Sequence, residues 1–223
     1  MGVAPDGPLM AALLEEEPCT ALQAVESLGN GCHGAVVGAI VDMLVDEGGL
    51  PPHHAGVDYT SSGSGIDVTA DAVRRRYGDG MRHKRAAEVV EHRRRVLKAA
   101  WGLTEAQIDL DFEAAQARCQ EAGDMWALTG DCAPFSSRHH SPHAVEQAQA
   151  LRSLYVALDH ARIAQPKVVM IENVDAPEVV DPITEFVTRI GGYRWRGAML
   201  QPYTHAGYPV RRKRYYWVGV RRE

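Results

Sequence analysis

The chain has 223 residues, 45% apolar and 24% charged, the make-up of a globular protein long enough to bury a core. Its net charge of −5 excludes a polycation that coats nucleic acid over its whole surface, so any such contact has to come from local basic patches. The four cysteines (Cys19, Cys32, Cys119, Cys132) form no CxxC pair and follow no secretory leader, which argues against zinc and disulfides and fits a reducing cytoplasm.

Residues 1–18 carry Pro5, Pro8 and Pro18 with Glu15, Glu16 and Glu17, and read as a loose leader with about one helical turn. Gly29-Asn30-Gly31 is a turn signal that opens the apolar run Ala35–Val45, whose length favours a buried helix and is too short to span a bilayer. Gly48-Gly49 ends it, and Pro51-Pro52 reads as a linker. A strand over Gly56–Thr60 then runs into Ser61-Ser62-Gly63-Ser64-Gly65 and a helix over Val68–Tyr77, the opening unit of a dinucleotide-type α/β fold. The second strand is expected at Ala86–Val90, followed by helix at His92–Ala100, a short strand at Ile108–Leu110 and helix at Glu113–Ala122. A strand at Met125–Thr129 delivers Cys132 at its carboxyl end.

The alternation continues in the second half. Ser141-Pro142 starts a long helix to Ala164, Val168–Ile171 is a strand leading to Glu172, and Asp181–Ile190 is a helix stopped by Gly191-Gly192. Tyr193–Leu200 and Arg214–Val220 complete the strands. Such alternation predicts an α/β fold with a mostly parallel sheet and helices on both faces, with reactive residues just past the carboxyl ends of strands. The basic stretch that includes Arg74, Arg75, Arg76, Arg82, Lys84, Arg85 and Arg93–Arg95 reads as a solvated face; Arg211–Arg222 forms a second.

Cys132 differs from the other cysteines in sitting in a turn after a strand, beside Pro134 and Ser136. There it reads as a nucleophile, with Arg212 and Arg214 as the positive charges that favour its thiolate. Glu172 ends an apolar strand, where a carboxyl can hold a proton against a ring nitrogen. Arg212 and Arg214 flank Lys213, so on a strand they share a face and can grip a carbonyl or phosphate. Ser62, Gly63 and Gly65 are a weak cofactor signal alone. It is strengthened by Glu88, about 20 residues on, placed for ribose hydroxyls. No residues read as a metal site: His139, His140 and His143 read as a loop beside the active site.

These motifs together resemble the cytosine-5 methyltransferase family. Ser62-Gly63-Ser64-Gly65 resembles its S-adenosylmethionine loop, and Glu88 its ribose-binding acid. Asp109 or Asp111, with Asp109 preferred, resembles the acid that bonds the adenine amino group. Asp131-Cys132-Ala133-Pro134-Phe135-Ser136 resembles the nucleophile loop, Glu172-Asn173-Val174 the Glu-Asn-Val motif, and Gly207–Arg214 the arginine motif. Leu28-Gly29-Asn30-Gly31 resembles the family's last motif, with Asn30 as a cofactor contact, and here it comes first. The resemblance thus implies one domain with a Rossmann-like methyltransferase fold: a circularly permuted segment over 1–50 and the catalytic core over 51–223. It implies S-adenosylmethionine as cofactor, DNA as partner, catalysis by Cys132, Glu172, Arg212 and Arg214, and no membrane. The chain departs from the family at Asp131 and Ala133 beside the nucleophile, at Val210, and at Ser61, which stands in place of an adenine-packing Phe. It shows no counterpart of the target-recognition domain, so recognition comes from a second polypeptide or is minimal. Two alternatives stay open: RNA or a free nucleotide as substrate, and a catalytically silent regulatory subunit.

Overall fold

The computed structural model describes residues 6–14, 32–118, 123–135, 144–205 and 212–222. In chain order its elements are α1 (Pro8–Leu14), α2 (Gly34–Asp46), β1 (Val57–Ser62), α3 (Val68–Tyr77), β2 (Met81–Ala87), α4 (Glu91–Trp101), β3 (Ile108–Asp109) and α5 (Phe112–Arg118). There follow β4 (Met125–Thr129), α6 (Ala144–Ala164), β5 (Val168–Val174), α7 (Pro177–Arg189), β6 (Tyr193–Leu200), α8 (Pro202–His205) and β7 (Arg214–Arg221). The strands form one 7-stranded sheet in the order β3-β2-β1-β4-β5-β7-β6. The first five in that order run parallel, and β7 is antiparallel to both of its neighbours.

β4 and β5 sit mid-sheet with helices over both faces, which is why Met125–Leu128 and Val168–Val174 are buried without alternation. On one face α1, α2, α3 and α4 pack against Tyr59, Met125, Met170 and Tyr216. On the other, α6 and α7 pack against Trp126, Leu128, Ile171 and Trp217. Among the described residues no helix is long and apolar enough to cross a membrane.

In four places the elements differ from the sequence reading, the first being β5, which runs on to Val174 instead of stopping at Ile171, so that Glu172 lies inside the strand and not past its end. β2 begins at Met81, not Ala86, because its first half is charged: Arg82 and Lys84 point to solvent, while Arg82 and Arg85 pair with Asp58 and Asp109 on neighbouring strands. α7 begins at Pro177 and continues through Pro182, whose missing N–H falls opposite the exposed Glu178. The leader contributes a core helix: Leu9, Ala12 and Leu13 of α1 are buried and α1 lies on α4. The expected start of α6 at Ser141-Pro142 lies outside the described residues.

α2 is held along α3 by a cation clamped over a glycine. The Arg76 guanidinium lies so close over Gly38 that a Cβ there would meet it at 2.3 Å. One turn on, Asp42 accepts from Arg76 Nε and Nη2 at 3.2 and 3.1 Å. The expected solvated face is therefore internally neutralised: Arg74 pairs with Asp79, Arg75 with Asp71 and Arg76 with Asp42.

Candidate active site

Strand register brings the reactive residues together. Thr129, the last residue of β4, pairs with Glu172 of β5, and Val174 pairs with Arg214 of β7. Cys132 follows Thr129 through Gly130, which cannot carry a Cβ because Leu154 of α6 would meet it at 2.2 Å. The Asp131 carboxylate accepts the Ala133 amide at 3.0 Å, and the Phe135 amide donates to the Cys132 carbonyl at 3.2 Å. Gln147 of α6 donates to the Pro134 carbonyl at 3.0 Å. The loop is thus folded tightly over the end of β4, with the thiol half-buried.

Glu172 is buried, and Arg214 Nε lies 2.9 Å from its Oε1. The contact is an ion pair whose N–H is turned off the line of a good hydrogen bond. Burial pushes the Glu172 carboxyl above its ordinary value, against the pull of Arg214 and Arg212. Arg212 and Arg214 are half-buried on either side of exposed Lys213, as strand alternation requires. Burial, and then Arg214, lower Arg212.

The thiol does not follow the sequence expectation. Burial and the Glu172 carboxylate push Cys132 up, outweighing Arg214 and Arg212. Asp131 is the weakest of the influences named, because its carboxylate is exposed and spent on Ala133.

The glycine loop abuts the same strand end. Gly63 has φ +64, and a Cβ on it would meet the Thr129 carbonyl oxygen at 2.0 Å; the Thr129 hydroxyl donates to the Gly63 carbonyl at 2.6 Å. Gly65, at φ +58, faces open space. Its amide donates to Glu88 Oε2 at 2.6 Å, and the Val90 amide to Oε1 at 2.8 Å. Burial raises the Glu88 carboxyl. Ser62 is buried and accepts from the Trp126 indole at 3.0 Å. Asp109, at the end of β3, is buried in a bidentate pair with Arg85 at 2.9 and 3.0 Å. Asp111 instead caps α5 through the Ala114 amide at 2.7 Å. Ser61 is buried in β1 and donates to Asp67 at 2.6 Å, so this position points into the protein and not toward a cofactor ring. Asn30, Ser136, Val210, Arg211 and the three loop histidines lie outside the described residues.

No family model and no curated protein matches the sequence. Solved structures do. One is a Pyrococcus horikoshii protein described as an RNA methyltransferase: 14% identity, 85% of this chain and 86% of that one, TM-score 0.51. Another is a prophage-encoded protein of E. coli described as a DNA modification methyltransferase: 16% identity, 74% of this chain and 47% of that one, TM-score 0.51. A third is a Spodoptera frugiperda DNMT2 variant: 18% identity, 74% of this chain and 50% of that one, TM-score 0.52. The chain has the Rossmann-like fold of S-adenosylmethionine-dependent methyltransferases. It spans about half the length of the last two proteins.

In this methyltransferase fold, the rim between β3 and β1 carries features that sequence reasoning missed. Val89 and Leu110 are 72% and 58% exposed, although both are apolar. They follow Glu88 and Asp109, which are joined by the Glu88 amide donating to the Asp109 carbonyl at 3.0 Å. The Phe112 ring lies 3.4 Å from where a Gly63 Cβ would be. Each Glu88 oxygen accepts one backbone N–H; Oε1 also lies 3.9 Å from Arg93 Nη1, which leaves Oε2 the oxygen with room for a further donor. A bare glycine loop, a half-satisfied carboxylate and apolar walls could together hold a cofactor with a hydroxylated sugar and a flat ring. The signal in the sequence was an apolar residue one or two positions past each strand end. The methyltransferase fold also brings the start of α2 to the catalytic mouth. Cys32, pushed up to about 12 by burial and then by Glu172, bonds Thr69 at 3.1 Å, and Tyr216 is hydrogen-bonded to the His33 backbone.

Proposed function

We propose that this chain transfers a methyl group to C5 of cytosine in DNA through a covalent adduct on Cys132. The observation that supports this is the convergence of a thiol, a buried carboxyl and two arginines at one sheet edge, against a bare glycine loop. The loop Ser62–Gly65, with Glu88, would hold S-adenosylmethionine, while the first segment with Asn30 and α2 would act as the permuted last motif, α2 lying along the helix that follows the glycine loop. S-adenosylmethionine, when bound, supplies an electrophilic methyl group beside C5.

The chain's residues prepare the ring. Glu172, whose protonated form burial favours, would donate toward N3, which makes C6 electrophilic. Arg214 would hold O2, and Arg212 would offset the charge that gathers there. Cys132 would lose its proton to solvent and its sulfur would bond C6, the C5–C6 π bond breaking with its electron pair moving to C5. Neutral Glu172 is also what the thiol needs, since the carboxylate form raises Cys132. The acid and the nucleophile are therefore coupled: protonating Glu172 both activates the ring and eases thiolate formation. After C5 is methylated, loss of its proton and then of the thiol restores the aromatic ring. A base in a duplex must leave the stack to reach this site.

DNA would be the partner, with a second polypeptide supplying the recognition module. The test is transfer from labelled S-adenosylmethionine to duplex DNA, single-stranded DNA, RNA and a cytidine nucleotide in parallel. Label is expected in DNA cytosine and absent with Cys132→Ser. Transfer that survives Cys132→Ser refutes the mechanism; label in RNA or nucleotide alone changes the substrate; no transfer to anything supports a silent subunit.

A further inference from the structure

Beneath the glycine loop lies a buried polar hub that this mechanism does not use. The backbone is left-handed at Gly63, Gly65 and Asp67, with φ of +64, +58 and +59. The third of these positions is thus held by a side-chain-bearing residue in a region that favours glycine. Asp67 is buried, and its carboxylate is turned inward. Oδ1 accepts from the Tyr59 hydroxyl at 2.8 Å and from the Ala70 amide at 2.9 Å, capping α3. Oδ2 accepts from the Ser61 hydroxyl at 2.6 Å, with His83 Nε2 3.4 Å away.

The hub reaches the loop directly. The Ser61 hydroxyl meets that of Ser64, the middle residue of Gly63-Ser64-Gly65, at 2.7 Å. Ser64 bonds the Ala87 carbonyl through its amide at 3.1 Å, and the Asp67 amide returns to the Ser64 carbonyl at 2.7 Å. The residue after Ala87 is Glu88, which takes the Gly65 amide. Both walls of the proposed cofactor groove are therefore tied, within a few bonds, to one carboxylate. Rings enclose the hub: His83 stands edge-on to Tyr59 at 5.0 Å and to Trp101 at 6.1 Å.

We propose that Asp67 is the positioning residue of the cofactor loop. Its carboxylate, through Ser61 and Ser64, sets the loop in the shape that receives the methyl donor, and the hydroxyl at position 61 serves this hub in place of a ring facing the cleft. This rests on the methyl-donor reading, and the experiment separates the two.

The probe is S-adenosylhomocysteine, the unreactive thioether product, titrated by calorimetry at 20 °C into the full chain and its variants. Asp67→Gly keeps the left-handed backbone and removes the carboxylate; its Kd is expected to rise about tenfold, the loss of one charge-assisted hydrogen-bond set. Asp67→Asn keeps an acceptor for Ala70 and Tyr59 but turns a donor toward Ser61, so it is expected to melt near wild type while its Kd still rises several-fold. A purely structural role would lower the melting temperature and leave the Kd of the folded variant unchanged. Asp67→Gly binding within about twofold of wild type therefore overturns the assignment. If Asp67→Gly shows no cooperative melt, Ser61→Ala decides in its place: weaker binding supports the assignment, unchanged binding overturns it. Wild type that binds no S-adenosylhomocysteine overturns the methyl-donor reading itself, and this assignment with it.

Discussion

The two loop glycines differ in a way that one pair of substitutions can expose. A methyl on Gly63 would stand 2.0 Å from the Thr129 carbonyl oxygen, whereas one on Gly65 would meet nothing within 4 Å. Contact between heavy atoms is comfortable at about 3.5–4.0 Å, so Gly63→Ala forces the loop off the end of β4, and a backbone carbonyl cannot rotate aside as a side chain can. Both positions have positive φ, so both variants lose about 1–2 kcal/mol to left-handed backbone strain. Gly63→Ala bears an added overpacking cost of about 2 kcal/mol. For a chain of this size that difference lowers the melting midpoint by about 4–8 °C beyond Gly65→Ala. Binding should rank the other way relative to stability. Gly65→Ala, the more stable of the two variants, puts a methyl into the open groove and should lose most of the melting-point rise given by S-adenosylhomocysteine. Differential scanning fluorimetry with and without that ligand reads both quantities. Equal melting of the two variants would refute the steric argument, and an undiminished ligand-induced rise in Gly65→Ala would refute the groove.

Glu172→Gln should be more stable than wild type at pH 8 and indistinguishable from it at pH 4. A carboxyl raised in the folded state contributes stability below its unfolded value of 4.5 that is lost as pH climbs through the folded value, and glutamine cannot lose it. Thermal melts at the two pH values check this, and a variant less stable at pH 8 contradicts it. The same substitution removes the second-largest influence raising Cys132, so alkylation of Cys132 by iodoacetamide, followed by mass spectrometry, should shift its pH midpoint downward, and Arg214→Ala should shift it upward. Cys32, pushed up to about 12, should stay unlabelled in the folded protein as an internal control. Gly38→Ala should destabilise the wild type, because its methyl meets the Arg76 guanidinium at 2.3 Å, but cost nothing in an Arg76→Ala background. A double-mutant cycle with a coupling below about 0.5 kcal/mol would show that the guanidinium does not clamp α2.

The candidate residues Cys132, Glu172 and Arg214 were legible as a cluster because each lies in a short run whose order along the chain matches the order of β4, β5 and β7 in the sheet. Cys132 follows β4, Glu172 lies two residues inside the end of β5 and Arg214 opens β7, and the apolar runs of these strands mark them locally. β4 was read at its observed limits for that reason: mid-sheet burial leaves no polar residues to blur it. β2 was misread because its charges are cancelled by Asp58 and Asp109, residues distant in sequence whose pairing no local pattern announces. The leader's prolines concealed α1, whose apolar face is buried only because α4 is there to meet it. Ser61 was read as a deletion of cofactor contact. It is a donor to Asp67, and that role depends on Tyr59 and His83 arriving from β1 and β2. Burial as the main cause of the Cys132 shift was also missed, since charges can be counted from a sequence but burial of the site cannot.

β6 precedes β7 in the chain yet lies outside it in the sheet, and β7 fits between β5 and β6. A nascent chain that has left the ribosome only as far as Leu200 has nowhere to dock that hairpin arm, and β5 waits with one flank unsatisfied. Insertion of Arg214–Arg221 closes both gaps at once and carries the guanidinium of Arg214 to Glu172 in the same event. Glu172 therefore gains its Arg214 partner only when β7 has taken its place between β5 and β6.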